Sequence, residues 1–167
     1  MRRLSMAALS LSISAAASSA QSLATTDGHV ELTVTAIERL AERRFFAGLG
    51  AHTEDEVQVE RPGKGREFAQ LTFSVRWLPG HTAAPCSVDG PPPLLHASEY
   101  LLIDAAGLRV RGLEASYTNP TQPCTEFTVL FRPSRAGATY TTLYFQGRQA
   151  ALGQVAGAKM PTSPRQK

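Results

Sequence analysis

Apolar and polar residues alternate through most of the middle of this chain. In His29–Ile37 (HVELTVTAI), Val30, Leu32, Val34 and Ala36 fall on one side and Glu31, Thr33 and Thr35 on the other. Period two with β-branched residues predicts a half-buried strand. The clearest case is Phe68–Leu78, where Leu71, Phe73, Val75 and Trp77 oppose Thr72, Ser74 and Arg76. Phe127, Val129 and Phe131 alternate with Thr128 and Leu130, and Ala138–Phe145 follows a turn over Arg132–Gly137. Glu99–Ile103 and Leu108–Leu113 flank Asp104-Ala105-Ala106-Gly107, which predicts a hairpin with Gly107 in a left-handed conformation. Val57 and Val59 suit a short edge strand, and Glu38–Phe46 a short amphipathic helical turn with Leu40 and Arg44 four apart. Pro62-Gly63-Lys64-Gly65 and Asn119–Pro123 are turns by composition, and Pro79–Pro93 is a long loop with five prolines and Cys86.

Many short strands, and at most one helical turn, point to an antiparallel sandwich or barrel over residues 29–152. The expected core is Val30, Leu32, Val34, Leu71, Phe73, Val75, Trp77, Phe127, Val129 and Phe131. Residues 21–28 are polar and expected as a flexible lead-in. The stretch 153–167 lacks apolar periodicity and is expected as a disordered tail.

The amino terminus follows a different pattern. Met1-Arg2-Arg3 is basic, Leu4–Ile13 modestly apolar, and Ser14–Ala20 built of small residues. That is the three-part layout of an export signal, residues 1–20, with cleavage between Ala20 and Gln21. The competing readings are a first helix of the domain or a membrane anchor. The apolar stretch is too short and serine-rich to span a bilayer, and no later segment approaches the length, so no transmembrane segment is expected in the mature chain. Arg2-Arg3 also raises twin-arginine export, but the flanking Leu-Ser-Met suits general secretion better. The expected location is extracytoplasmic: periplasmic or secreted.

Charge looks basic only until these ends are removed. The 167 residues hold 17 Lys+Arg and 14 Asp+Glu, a net +3. Losing Arg2 and Arg3 with residues 1–20 leaves +1; losing Lys159, Arg165 and Lys167 as well leaves 12 basic against 14 acidic residues in 21–152, or −2. A nucleic-acid module concentrates positive charge on its folded surface, so no nucleic-acid partner is expected. Scarce Lys, a single asparagine (Asn119) and abundant Ala and Arg fit a GC-rich, bacterial genome.

Cys86 and Cys124 are the only cysteines, 38 positions apart, each preceded by proline. Behind an export signal such a pair is most simply a structural disulfide; the alternatives are a metal site or a redox pair, and the latter would favour Cys-x-x-Cys. His29, His52, His81 and His96 are scattered without metal-ligand spacing. Glu54-Asp55-Glu56 near His52 lacks the alternating ligands and mid-loop glycine of a calcium loop. Gly63-Lys64-Gly65 lacks a phosphate-loop frame, and no GxSxG nucleophile elbow occurs. No catalytic, metal or cofactor-binding residue is therefore assigned. Arg76, Arg109 and Arg111 on strand faces, with Arg132 and Arg135 beside a turn, offer a basic stripe for an acidic partner or lipid headgroups. The blander reading is a solvated sheet face paired with nearby glutamates.

Three segments carry a family likeness: the opening strand HVELTV; Pro62–Phe68 leading into AQLTFSVRW; and EYLLIDAAGLRV followed by TEFTVLF. Together they resemble the telokin-like, immunoglobulin-fold domains of secreted bacterial proteins. Antibody-type domains fit less well, because they place Trp between the two cysteines and Trp77 precedes both. The resemblance implies an all-β, antiparallel immunoglobulin-like β-sandwich of six to eight strands, and no catalytic residues. The expected function is an exported, non-catalytic binding or accessory module of the cell envelope or secretome, its partner a protein or envelope component. The alternatives are a secreted enzyme or metal carrier with a loop-assembled site, and a structural or surface-exposed, antigen-like protein.

Overall fold

The computed structural model describes residues 22–153 except 26, 47–56 and 91. The export signal, its Ala20–Gln21 cleavage point, His52, Glu54-Asp55-Glu56 and the tail after 153 lie outside the described residues. Among the described residues ten strands form: β1 (Ser22–Ala24), β2 (Val30–Leu40), β3 (Arg43–Phe46), β4 (Val57–Glu60), β5 (Arg66–Trp77), β6 (Tyr100–Asp104), β7 (Arg109–Tyr117), β8 (Glu126–Arg135), β9 (Tyr140–Phe145) and β10 (Arg148–Ala151). A 3₁₀ turn covers Ala97–Glu99. β1 falls inside the segment expected as a flexible lead-in and pairs Ser22 with Thr33 of β2.

The expected two-sheet immunoglobulin-like sandwich does not form. Eight strands make one antiparallel sheet in the order β1-β2-β5-β8-β7-β6-β9-β10, and β3 with β4 makes a separate ribbon. Its two edges meet: Cα atoms of β1 and β10 approach within 8 Å, so the sheet is nearly closed into a barrel. The stacked rings show the curl directly. Phe73 of β5 lies on Phe127 of β8 with centroids 4.9 Å apart, and 5.4 Å from Tyr100 of β6, which itself stacks on Phe145 of β9 at 4.2 Å.

Bulges supply the curvature, because an extra residue in one strand bends it and increases local twist. Thr35 is extra against β5, Leu113 is extra against β8, and the β5–β8 and β6–β9 ladders shift near Pro133 and Asp104. The first bulge also corrects the expected strand phase. Ala36 was expected beside Val34 on the core side, but Ile37 takes that place opposite Leu71 and packs on the core. Nine of the ten expected core residues are buried; Trp77 is half-buried and donates from Nε1 to the Cys124 carbonyl at 2.9 Å. The helical turn expected over Glu38–Phe46 is instead extended backbone, because β2 runs on to Leu40 opposite Phe68 and β3 pairs with β4.

The two ends of the barrel differ. One carries the Cys86–Cys124 disulfide, Cα atoms 4.7 Å apart, which ties the proline-rich loop to the start of β8. The other carries the loops 61–65, 104–108 and 136–139, interlinked by Ala136 N–H to the Gly65 carbonyl (2.9 Å) and Ala105 N–H to the Thr139 carbonyl (2.8 Å).

Candidate functional site

β7 changes partner along its length. Arg109, Val110 and Arg111 pair with β6, whereas Gly112 to Tyr117 pair with β8. The change falls at Gly112, where the 3₁₀ turn crosses so closely that a Cβ would collide with the Ala97 carbonyl oxygen. β8 meanwhile continues past Phe131 to Arg135, held on its other side by β5. Pro133 sits in this stretch, where it lacks an N–H to offer a further strand. The β7–β8 seam therefore splays toward the loop end and opens a cleft of about 680 Å³.

Six cationic side chains line that cleft: Arg109 and Arg111 from β7, Arg132 and Arg135 from β8, and Lys64 and Arg66 at the entry to β5. They are half of the 12 basic residues between positions 21 and 152. The remaining lining among the described residues is Gly65, Leu108, Val110, Pro133 and Ser134, which bring neither a carboxylate nor an aromatic ring. Strand alternation explains the placement: Val110 is buried, so Arg109 and Arg111 both point outward. Arg66 stands directly opposite Arg135 in the β5–β8 ladder. Like charges directly opposite one another destabilise a sheet, so packing does not account for this pair.

Arginines elsewhere in the barrel behave differently. Arg39 binds Glu67 and the Ala138 carbonyl; Arg43 binds Glu60 and, at 3.4 Å, Glu114. Arg44 and Arg61 share Glu42 at 3.3 and 3.2 Å, and Arg76 pairs with Glu31, its Nε donating at 2.8 Å. These contacts register on the acids. A hydrogen bond from Ser22, then Arg76, holds Glu31 below the usual carboxylate range, and Arg44 then Arg61 do the same for Glu42. None of the six cleft cations makes an ion pair or side-chain hydrogen bond with a described residue.

Four members of the basic stripe read from the sequence, Arg109, Arg111, Arg132 and Arg135, thus come together, while Arg76 does not join them. Lys64 and Arg66 were missed. Their signal was the Gly63-Lys64-Gly65-Arg66 run, read as a turn and weighed only against a phosphate loop. The other chemistry-bearing residues form only small, separate contacts. The His29 and His81 rings lie 4.1 Å apart, with His29 3.8 Å from Asp27, and His96 contacts Glu99 at 3.1 Å. Among the described residues no three His, Cys, Asp or Glu side chains gather as a metal site would require. Smaller clefts lie beside the disulfide (about 380 Å³) and under the β3–β4 ribbon (about 210 Å³), each with a carboxylate in its wall, Glu126 in the first and Glu42 and Glu114 in the second. No protein-family model, curated protein or solved structure matches the chain.

Proposed function

We propose that the protein is an exported, non-catalytic binding or accessory module that holds an anionic component of the envelope in the splayed β7–β8 cleft. One observation carries the reading: six cations converge on a concave surface whose described lining has no carboxylate, while five of the other six basic residues between 21 and 152 are paired with acids. Retaining uncompensated like charges in one place costs stability, so a ligand that neutralises them gives the arrangement its use. Arginine's fork donates two parallel hydrogen bonds to a phosphate, sulfate or carboxylate, and five of the six cations are arginine. The described lining holds no aromatic ring, whereas single-stranded nucleic acid is held largely by stacking on such rings.

The test compares two charge-matched variants on an immobilised sulfated polysaccharide. Arg66, Arg109, Arg111 and Arg135 are changed together to Gln in one; Arg44, Arg61, Arg76 and Arg148, all outside the cleft, are changed in the other. The first should lose salt-resistant retention and the second should keep most of it. Equal behaviour would reduce binding to net charge and remove the cleft from the account.

A further inference from the structure

We infer that the cleft and its rim dock on an anionic lipid surface, with the β6–β7 hairpin entering the headgroup layer; the inference rests on the anion-binding reading above and names its ligand. The first observation is Leu108. It is 58% exposed, the most exposed large apolar side chain among the described residues, and it lies in the cleft wall beside Arg109. Its exposure does not come from a loose loop. The buried Asp104 carboxylate accepts hydrogen bonds from Ala106 N–H at 2.9 Å and Leu108 N–H at 2.8 Å. Gly107 takes φ +80 to close the turn, and Ala105 N–H is tied to the Thr139 carbonyl at 2.8 Å. A well-held turn thus keeps Ala105, Ala106 and Leu108 outside the barrel.

The second observation is the surface around it. The stretches 62–65, 104–109 and 135–139 contain one carboxylate, Asp104, which is buried in the turn; the adjoining Glu67 carboxylate accepts from Gly137 N–H at 3.0 Å and is paired with Arg39. What they expose is small or apolar residues with Lys64, Arg109 and Arg135 among them. An apolar tip ringed by cations matches the interface of an anionic bilayer, where burial of the tip and attraction to headgroup phosphates act together.

The third observation separates a lipid surface from a single acidic polypeptide. Sites that recognise one fixed ligand hold their first-contact side chains with supporting hydrogen bonds. This barrel does that for Arg39 and Arg43, but none of the six cleft cations is pinned in this way. Long unpinned arms suit a diffuse field of phosphates. An acidic peptide would also leave the outward Leu108 without a role.

The experiment uses the mature chain, residues 21–167, because the basic and apolar export signal would itself bind anionic vesicles; the tail is common to every arm. Co-sedimentation is measured with vesicles containing about one-third phosphatidylglycerol and with pure phosphatidylcholine, alongside retention on dextran sulfate and on polyglutamate. Binding should require phosphatidylglycerol and weaken with salt. Leu108→Ser should lower vesicle binding by about tenfold and leave dextran sulfate retention unchanged, since only a bilayer buries the side chain. Arg109→Gln with Arg111→Gln should lower both, by about fivefold per arginine at the vesicle. Vesicle binding indifferent to Leu108→Ser overturns the inference. So does retention on polyglutamate or dextran sulfate without vesicle binding, a result that leaves anion binding standing and points to a soluble partner. Failure to bind any of the anions overturns both readings.

Discussion

Replacing Arg135 with glutamate should stabilise the barrel while weakening its grip on anions. Arg135 faces Arg66 across the β5–β8 ladder, where opposed Cβ atoms sit about 5 Å apart. Both side chains are exposed, so their arms spread and solvent screens them. Two like charges at about 8 Å in water repel by about 0.5 kcal/mol. Reversing one sign turns that repulsion into a comparable attraction, a gain of about 1 kcal/mol before longer-range terms from Arg109, Arg111 and Arg132 are added. For a domain of this size that is a rise in Tm of about 3–5 °C. At about 1 M salt, where the Debye length falls to about 3 Å, wild type and variant should converge. The measurements are thermal unfolding by circular dichroism at low and high salt, and salt-dependent elution from the sulfated matrix. A variant no more stable than wild type at low salt, or a gain that persists undiminished at high salt, would refute the argument that these arginines oppose one another. Stabilisation with unchanged elution would refute the assignment of Arg135 to the site.

Three further outcomes follow from the packing. Cys86→Ser with Cys124→Ser should lower stability by about 3–4 kcal/mol, because the bridge closes 38 residues of the unfolded chain; a shift of the urea midpoint worth less than about 1 kcal/mol would mean the proline-rich loop is held by its own packing. Gly112→Ala should cost about 2 kcal/mol, since the new methyl must displace the Ala97 carbonyl from β7, and denaturant unfolding reads it; a neutral result would mean that the 3₁₀ turn is free to move. Burial pushes the Tyr100 hydroxyl well above its ordinary value of 10.0 and raises that of Tyr140. The folded state therefore keeps protons that the unfolded chain gives up, so stability is intact below the ordinary tyrosine range and falls as pH rises through and beyond it. Alkaline unfolding followed by Trp77 fluorescence should coincide with Tyr100 phenolate absorbance, and Tyr100→Phe should flatten the dependence; phenolate from Tyr100 in a chain still folded would contradict the burial.

Strand identity was legible because most of each long strand has one dry face and one wet one; Leu130, buried under the β3–β4 ribbon between Val129 and Phe131, is the exception in β8. Leu71, Phe73, Val75, Phe127, Val129 and Phe131 read correctly at period two and are buried. Sheet closure was not legible, since a sandwich and a barrel impose the same alternation along each strand. They differ in which strands share a ladder, and that was decided by bulges at Thr35, Leu113 and near Pro133, single-residue events that leave little trace in the pattern. Glu38–Phe46 misled for a different reason: Leu40 and Arg44, four apart, fall in two strands, β2 and β3, on either side of a bend at Ala41. The site was half legible. Arg109 and Arg111 stand out on an alternating strand, but Lys64 and Arg66 lie more than forty positions away in sequence and reach the cleft only through the β5–β8 ladder.

The partner change of β7 links the fold to the cleft. Continuing the β7–β8 register past Gly112 and Phe131 would set Arg111 opposite Arg132, adding a second like-charged cross-strand pair to that of Arg66 and Arg135. The 3₁₀ turn packed over Gly112 stands where that pairing would continue, and β7 crosses to β6 instead. The cations are thereby spread over the walls of a groove, where water and a bound anion can reach each of them. A tighter closure at this end would raise their mutual repulsion and shut out an anion of the kind proposed to relieve it. Stability is supplied elsewhere, by the stacked rings of Phe73, Phe127, Tyr100 and Phe145 in the core and by the Cys86–Cys124 bridge at the opposite end. The cationic end can then carry unpaired charge and an exposed leucine because the closed core and the far-end bridge do not depend on it.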